Sequence, residues 1–281
     1  MSGPVARTTL IALTALAALT ALATPPLEAQ EDFRAADLGR PLLVEDAIPP
    51  KWREWEAELG VRGALAEGGS GLHAVLGIET GLFLNTEVGL EIEGSLEEEA
   101  AGRGTGTASG IEGVGAHLLY GFNRETWSWP AFAARVDVWT PGSGETGREE
   151  WAVSLKGIAT RSFDRLRLHA NAGYVADGSG DRDVHWVAGL AFDYPLGLFS
   201  RALLGDVYVE LPAESGRTRV WVELGSRWQL SNEGVLDLGL STRMDEWEAG
   251  NANVELVVGL SRVFGIAALI HVPPYRSPRI H

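Results

Sequence analysis

Charged side chains recur at every second position along several segments of the 281-residue sequence. Side chains of a β-strand point alternately to its two faces, so this spacing collects the charges on one face. Such a face can line an aqueous path or carry a network of ion pairs. The candidate lumen-lining residues are Glu56, Glu58, Arg62, Glu87, Glu91, Glu93, Arg135, Asp137, Glu223, Arg227, Asp237, Arg243 and Glu255.

This candidate set contains nine carboxylates and four arginines. In an open pore the acidic excess would favour cations or neutral solutes over anions. In a narrow barrel the same charges would instead pair with one another and fill the lumen. The sequence leaves both interpretations open.

Histidines on the polar faces are the residues that could bind a metal or transfer protons. A hairpin centred near residue 180 places His169 opposite about Ala191, well away from His185. We therefore expect isolated histidines, no metal site and no cofactor. The four histidines concerned are His73, His117, His169 and His185.

Enzyme chemistry has little support in the sequence, which contains neither G-x-S-x-G nor H-E-x-x-H. Outer-membrane acyl hydrolases do carry Ser and His on barrel walls. A lipid-acting hydrolase that uses Ser154, Ser226 or Ser241 therefore remains an alternative. The main prediction is a protein without enzymatic activity.

The composition excludes several classes of protein. The formal charge is −15, hydrophobic residues make up 45% of the chain, and cysteine is absent. A disordered acidic chain would be less apolar, and a nucleic-acid-binding protein would present a basic face. Without cysteine there is neither a disulfide framework nor a thiolate metal site.

Apolar and polar residues alternate in about twelve segments of roughly ten residues, as in Leu236, Leu238 and Leu240 around Asp237. A helix would show apolar spacings of three and four instead. The class is therefore all-β, and we predict an antiparallel up-and-down transmembrane barrel of about 12 strands. The segments lie near 53–64, 71–80, 86–96, 111–122, 130–140, 150–161, 165–176, 184–194, 202–211, 217–230, 234–243 and 252–264.

Three features favour a membrane barrel over a water-soluble sandwich. The polar faces are rich in charges, the connections alternate between long and short, and aromatic residues concentrate near strand ends. Outer-membrane barrels have long external loops and short periplasmic turns. The expected membrane-girdle aromatics are Trp55, Tyr120, Phe122, Trp139, Trp151, Tyr194 and Phe264.

The N-terminus has the pattern of an export signal. Arg7 precedes an apolar run that ends in an A-x-A-like cleavage site after Ala23, and a second candidate site follows Ala29. We expect a signal peptide at 1–23, a periplasmic lead at 30–52, a barrel at 53–264 and an extension at 265–281. An exported barrel belongs in the outer membrane of a Gram-negative bacterium.

The final strand ends at Phe264, with Gly259 five residues earlier, which resembles the terminal signal read by barrel assembly machinery. Arg262 and the residues after Phe264 depart from that signal. Residues 265–281 are either a periplasmic tail or, between Ile266 and Val272, additional strand.

Several short motifs resemble an outer-membrane family associated with the MetA pathway of phenol degradation. The motifs are Arg40-Pro41, Glu45-Asp46-Ala47, Pro49-Pro50, the Glu54-x-Glu56-x-Glu58-Leu59-Gly60 run, Gly81-Leu82, Asn85-x-Glu87-Val88, Gly110-Ile111-Glu112-Gly113 and Pro141-Gly142-Ser143-Gly144. The resemblance covers about residues 40–264. It implies a passive channel or transporter for small, often hydrophobic or aromatic molecules.

The expected partners follow from this interpretation: outer-membrane lipid and lipopolysaccharide, a small-molecule solute, and barrel assembly machinery, with no nucleic acid. A non-conducting structural or receptor barrel is the alternative to a channel.

Overall fold

A computed structural model describes residues 42–66, 69–99, 107–177, 183–197, 200–213, 218–244 and 254–265. The expected signal peptide, the first part of the lead and nearly all of the C-terminal extension lie outside these residues. Among the residues described, no helix combines the length and apolar character needed to cross a bilayer.

Thirteen strands occur in the described part of the chain, and twelve of them form the wall of a closed barrel. The exception is the two-residue strand β6, which pairs with the outer part of β4. The strands are β1 Glu54–Ala66, β2 Gly69–Phe83, β3 Thr86–Glu99, β4 Thr107–Asn123, β5 Ala131–Trp139, β6 Ser143–Gly144, β7 Ala152–Phe163, β8 Leu166–Asp177, β9 Asp183–Leu196, β10 Arg201–Pro212, β11 Arg219–Gln229, β12 Gly234–Arg243 and β13 Val254–Gly265.

Antiparallel pairing of the first and last strands closes the barrel. Glu58 lies opposite Ser261, and Ala64 lies opposite Glu255. This pairing is what closure of the predicted barrel requires. Closure is complete without residues 266–281, because β13 already pairs with both β12 and β1.

The two faces of the wall differ in chemistry. Outward side chains are large and apolar, and Leu76, Leu190 and Leu240 are 57%, 67% and 56% exposed. Inward side chains such as Asp237 and Ser241 are 0% and 1% exposed. A water-soluble sandwich would bury its leucines, whereas a bilayer accepts an apolar outer surface on a closed sheet. The predicted transmembrane barrel is confirmed.

The two ends of the barrel have different connections. At one end, here called the turn end, short connections such as 84–85 and 164–165 join neighbouring strands. Asn85 and Asp164 have positive φ values of 60° and 57° there, which Asn and Asp tolerate in tight turns. The opposite end, the loop end, carries the longer connection at 140–151. Strand β1 begins at the turn end, and β13 ends there.

Residues 42–51, here called the lumen segment, lie inside the barrel before β1 begins. Leu42, Val44 and Ala47 are 6%, 1% and 2% exposed. They belong to two apolar clusters with residues of β4, β5, β7, β9 and β10, and the carbonyl groups of Pro50 and Lys51 lie beside Gly81 of β2. The expectation of a periplasmic lead is thus wrong for this part, because its backbone and apolar side chains find partners within the lumen.

Candidate functional site

Backbone hydrogen bonds to lumen side chains fix the lumen segment. Asp206 Oδ2 accepts from the backbone N–H groups of Leu43 and Val44, at 2.7 and 3.3 Å. Asn171 Oδ1 accepts from the Glu45 N–H at 2.9 Å. These acceptors on β8 and β10 satisfy donors that no strand partner satisfies, since a buried backbone N–H needs an acceptor. The segment is therefore held in one register.

Small residues of the wall make room for the lumen segment. Val44 packs against Ala191, Ala202 and Leu204. A Cβ at Gly189 would lie 2.4 Å from Val44 Cγ2, so glycine permits this close approach. The small side chains of the barrel wall therefore leave the space that the lumen segment occupies.

The carboxylate of Glu45 joins the lumen segment to two cations of the wall. Arg135 Nη1 lies 3.0 Å from Glu45 Oε2, and Lys156 Nζ donates to Glu45 Oε1. Burial alone would raise the pKa of Glu45, but Arg135 and Lys156 outweigh burial and lower the pKa. The carboxylate is consequently charged at neutral pH and the ion pairs persist there.

A buried Thr–His–Asp chain also supports the segment. Thr160 Oγ1 accepts from the Ala47 N–H at 2.9 Å and lies 3.0 Å from His169 Nδ1. His169 Nε2 lies 3.1 Å from Asp193 Oδ2. Thr160 is 0% exposed, so this hydroxyl positions the lumen segment and is closed to a substrate.

The three serines of the hydrolase alternative lack the hydrogen bond to a histidine that an activated serine nucleophile makes, as their contacts in the described part of the chain show. Ser154 Oγ donates to Asp137, and Ser226 Oγ accepts from the Trp228 indole at 2.9 Å. Ser241 Oγ is buried and makes no hydrogen bond within the described part of the chain. None of these contacts brings a serine to a histidine, which nucleophilic activation requires.

Paired charges fill another part of the lumen. Arg227 donates from Nε and Nη2 to the two carboxylate oxygens of Asp237, each at 2.8 Å. Arg62 bridges Glu223 at 3.2 Å and Glu255 at 3.0 Å. The bidentate geometry offsets the cost of burying the charges. These pairs tie β1, β11, β12 and β13 together.

Asp237→Asn is expected to lower the free energy of unfolding by about 3–5 kcal/mol, because it removes the carboxylate that binds both Nε and Nη2 of the buried Arg227. Urea unfolding followed by tryptophan fluorescence in detergent measures the change. Glu233→Gln is the matched control, since the Arg262–Glu233 pair has side chains 48% and 59% exposed. That control should cost less than about 1 kcal/mol. Equal effects of the two variants would contradict a stabilising lumen network.

A cavity of about 690 Å³ occupies the lumen beside the lumen segment. Leu42, Leu43, Glu45, Asp46 and Ile48 of the segment form part of its lining. Eleven lining residues are Asp or Glu, whereas three are Arg or Lys. The cavity is therefore strongly acidic.

The structure places all thirteen candidate lumen residues on the inner face. Eight of them line the cavity: Glu58, Arg62, Glu87, Glu91, Glu93, Arg135, Asp137 and Glu255. Glu56, Glu223, Arg227 and Asp237 are buried within the lumen. Arg243 pairs in register with Trp221 and lies 5.7 Å from its ring centroid.

The expected girdle aromatics divide into two groups. Tyr120, Phe122, Trp151 and Tyr194 are exposed at 47%, 61%, 58% and 38%, and Trp55 lies opposite Phe264 on the outer face near the turn end. Trp139 is different, because its indole Nε1 donates to Glu91 Oε1 at 3.0 Å. The prediction of Trp139 as a girdle residue is wrong. It shares the inward face with Asp137, two positions earlier on β5.

The histidines follow the predicted pairing, because His169 lies opposite Ala191. They are not all isolated, however. His73 Nε2 lies 3.4 Å from Glu112, and His117 Nε2 lies 2.9 Å from Glu87.

Several lumen residues are absent from the candidate set derived from sequence. Glu79, Lys156 and Tyr208 could have been found from strand parity, because each lies an even number of positions from another inward residue. Glu45 carries no such signal, because it lies outside the alternating segments.

No family model and no curated protein matches the sequence. Solved structures do resemble the fold. One is an outer membrane channel from Pseudomonas putida F1, with a TM-score of 0.62, 11% identity, and coverage of 78% of this chain and 98% of the other. A second is the NanC porin, with a TM-score of 0.54, 11% identity, and coverage of 73% and 98%. The chain therefore has the fold of outer-membrane channel barrels.

Proposed function

We propose that this protein is an outer-membrane channel that passes small molecules passively. The observation that carries the proposal is the acidic lumen cavity, with eleven carboxylate and three basic side chains in its lining. A barrel that served only to hold its strands together would pair its charges more evenly. The turn end, where β1 begins and β13 ends, would face the periplasm, and the loop end would face the cell exterior.

The proposed solutes are small cationic or neutral molecules. Tyr208, Trp139 and Trp221 contribute aromatic surface to the cavity, which suits a solute with an apolar or aromatic body. The resemblance to the phenol-degradation family supports the same class. Carboxylates in the lining would repel anions.

Cation selectivity is the expected result in planar bilayers. Under a salt gradient, the reversal potential should have the sign of a cation-preferring pore, because mobile cations accumulate beside fixed carboxylates. Vesicle swelling should be faster with small neutral solutes than with anionic solutes of equal size. Anion preference, or the absence of both conductance and swelling, would contradict the proposal.

A non-conducting structural or receptor barrel is the second candidate, and the Arg227–Asp237 and Arg62–Glu223 pairs favour it. The bilayer measurement separates the candidates, because a filled lumen would conduct no ions. Lipopolysaccharide at the outer surface and barrel assembly machinery remain proposed partners.

A further inference from the structure

A row of lumen residues crosses the first four strands at one level. His117 on β4 lies opposite Gly89 on β3, and Gly89 lies opposite Glu79 on β2. Glu79 in turn lies opposite Glu56 on β1. Antiparallel pairing therefore aligns these inward side chains across the wall.

The glycine in this row brings a histidine and a glutamate together. A Cβ at Gly89 would lie 2.2 Å from His117 Cε1 and 3.0 Å from Glu79 Cβ. The imidazole thus occupies the space above β3 that another side chain would fill. His117 reaches across one strand to the carboxylate of Glu79.

Three potential ligands converge at this place. His117 Nε2 lies 3.6 Å from Glu79 Oε2 and 2.9 Å from Glu87 Oε1. Ligand atoms about 2.0–2.1 Å from a tetrahedral Zn²⁺ lie roughly 3.3 Å apart, so the observed separations bracket the required value. One imidazole nitrogen and carboxylate oxygens are ligands that Zn²⁺ accepts.

His117 itself provides an independent indication of a ligand. Its side chain is 6% exposed, and neither ring nitrogen has a partner in hydrogen-bond geometry within the described part of the chain, although Nε2 lies 2.9 Å from Glu87 Oε1. A buried imidazole without hydrogen bonds is costly. Coordination of an ion would satisfy Nε2 directly.

Further carboxyl groups lie beside the cluster. The carboxylates of Glu56, Glu58 and Glu79 have oxygen atoms within 4.8 Å of one another. Arg135 lies 3.9 Å from Glu87, but it also binds Asp137 at 2.6 Å and Glu45 at 3.0 Å. A divalent cation would favour ionisation of these carboxyl groups and be bound by them.

We propose that Glu79, Glu87 and His117 bind a divalent transition-metal ion such as Zn²⁺ in the wall of the lumen. All three residues line the cavity, which gives the ion a route to them. Glu56 and Glu58 place further carboxyl groups near the ion. The site is separate from the proposed transport function and does not require conductance.

Calorimetric titration of the untagged, metal-stripped full barrel with Zn²⁺ in detergent tests the site. One saturable site is expected, and His117→Ala should weaken Zn²⁺ binding at least tenfold. Removing a residue that only hydrogen-bonds to a metal ligand already costs about tenfold or more in metal affinity, and His117 is a ligand itself. Glu79→Gln keeps the side-chain shape and should also weaken binding. Gly89→Ala should do the same without removing a ligand, because its Cβ displaces the imidazole.

His73→Ala is the matched control, because His73 belongs to a second cluster with Glu93 and Glu112. It should retain the wild-type affinity. Heat-modifiable gel mobility verifies that each variant is folded, and Glu79→Gln serves as the ligand variant if His117→Ala fails to fold. The proposal is overturned if the wild type shows no saturable Zn²⁺ binding. It is also overturned if folded ligand variants bind as tightly as the wild type, or if only His73→Ala loses binding.

Discussion

A barrel chain that begins at Trp52, and therefore lacks the lumen segment, is expected to conduct more current than the full chain. Conductance rises with the open cross-section, and an empty 12-stranded barrel has a wider lumen than a filled one. We expect an increase of roughly three- to tenfold in single-channel conductance. Planar bilayer recordings of both proteins, refolded under the same conditions, measure it.

The anchoring contacts explain why the effect should be large. Asp206 and Asn171 hold the backbone of the segment, while Arg135 and Lys156 hold Glu45. With several anchors, the segment should remain in place throughout a recording of the full chain. Unequal conductance would then reflect the occupied lumen and not a fluctuating segment.

A synthetic peptide of residues 42–51 provides the control for this deletion. The peptide should block the shortened barrel, because its acceptors on the wall remain available. A peptide with Glu45 replaced by Gln should block less strongly, since it lacks the charge that contacts Arg135 and Lys156. Equal conductance of the full and shortened chains would show that the segment leaves the path unobstructed.

Leu190→Arg is expected to lower the free energy of unfolding in lipid by about 2–4 kcal/mol, because it places a charge at the hydrocarbon-facing surface. Leu190 lies near the middle of β9 and is 67% exposed on the outer face. Reversible urea unfolding in lipid vesicles, followed by tryptophan fluorescence, measures the change.

His73→Arg is the matched control for the membrane-facing substitution. Its side chain lies in the lumen, is 35% exposed and is 3.4 Å from the Glu112 carboxylate. An arginine at this position should therefore change the unfolding free energy by less than about 1 kcal/mol. If His73→Arg lowered the free energy of unfolding more than Leu190→Arg, the assignment of Leu190 to the lipid-facing surface and His73 to the lumen would be contradicted.

Strand positions could be predicted because alternation is a local property of the sequence. On β12, Leu236, Leu238 and Leu240 point outward, whereas Asp237 and Ser241 are buried inside. The predicted closed barrel also requires that β1 and β13 meet, since every strand of a membrane-spanning sheet needs two neighbours. The pairing of neighbouring strands, and the face of the wall that each side chain occupies, therefore follow from the order of residues in the sequence.

The lumen segment could not be predicted, because its partners lie far away in the chain. Leu43 and Asp206 are separated by 163 positions, and the segment has no alternating pattern. The girdle prediction for Trp139 fails for another reason, because an aromatic residue type does not determine which face of a strand the side chain occupies. Parity with Asp137 correctly indicates the inner face, where Glu91 accepts the indole hydrogen bond.

The central claim is that the leucines of the wall contact lipid acyl chains while the charged residues face the lumen. The most direct test places a single spin label at successive positions of β12 in the barrel reconstituted in lipid vesicles. The chain contains no cysteine, so each introduced cysteine is a unique attachment site. Labels at Leu236, Leu238 and Leu240 should collide mainly with membrane-dissolved oxygen. Labels at Gly239 and Ser241 should show low oxygen collision, giving a period of two along the strand. Low oxygen collision at all three leucines would contradict the account, because it would mean that they pack inside a protein core.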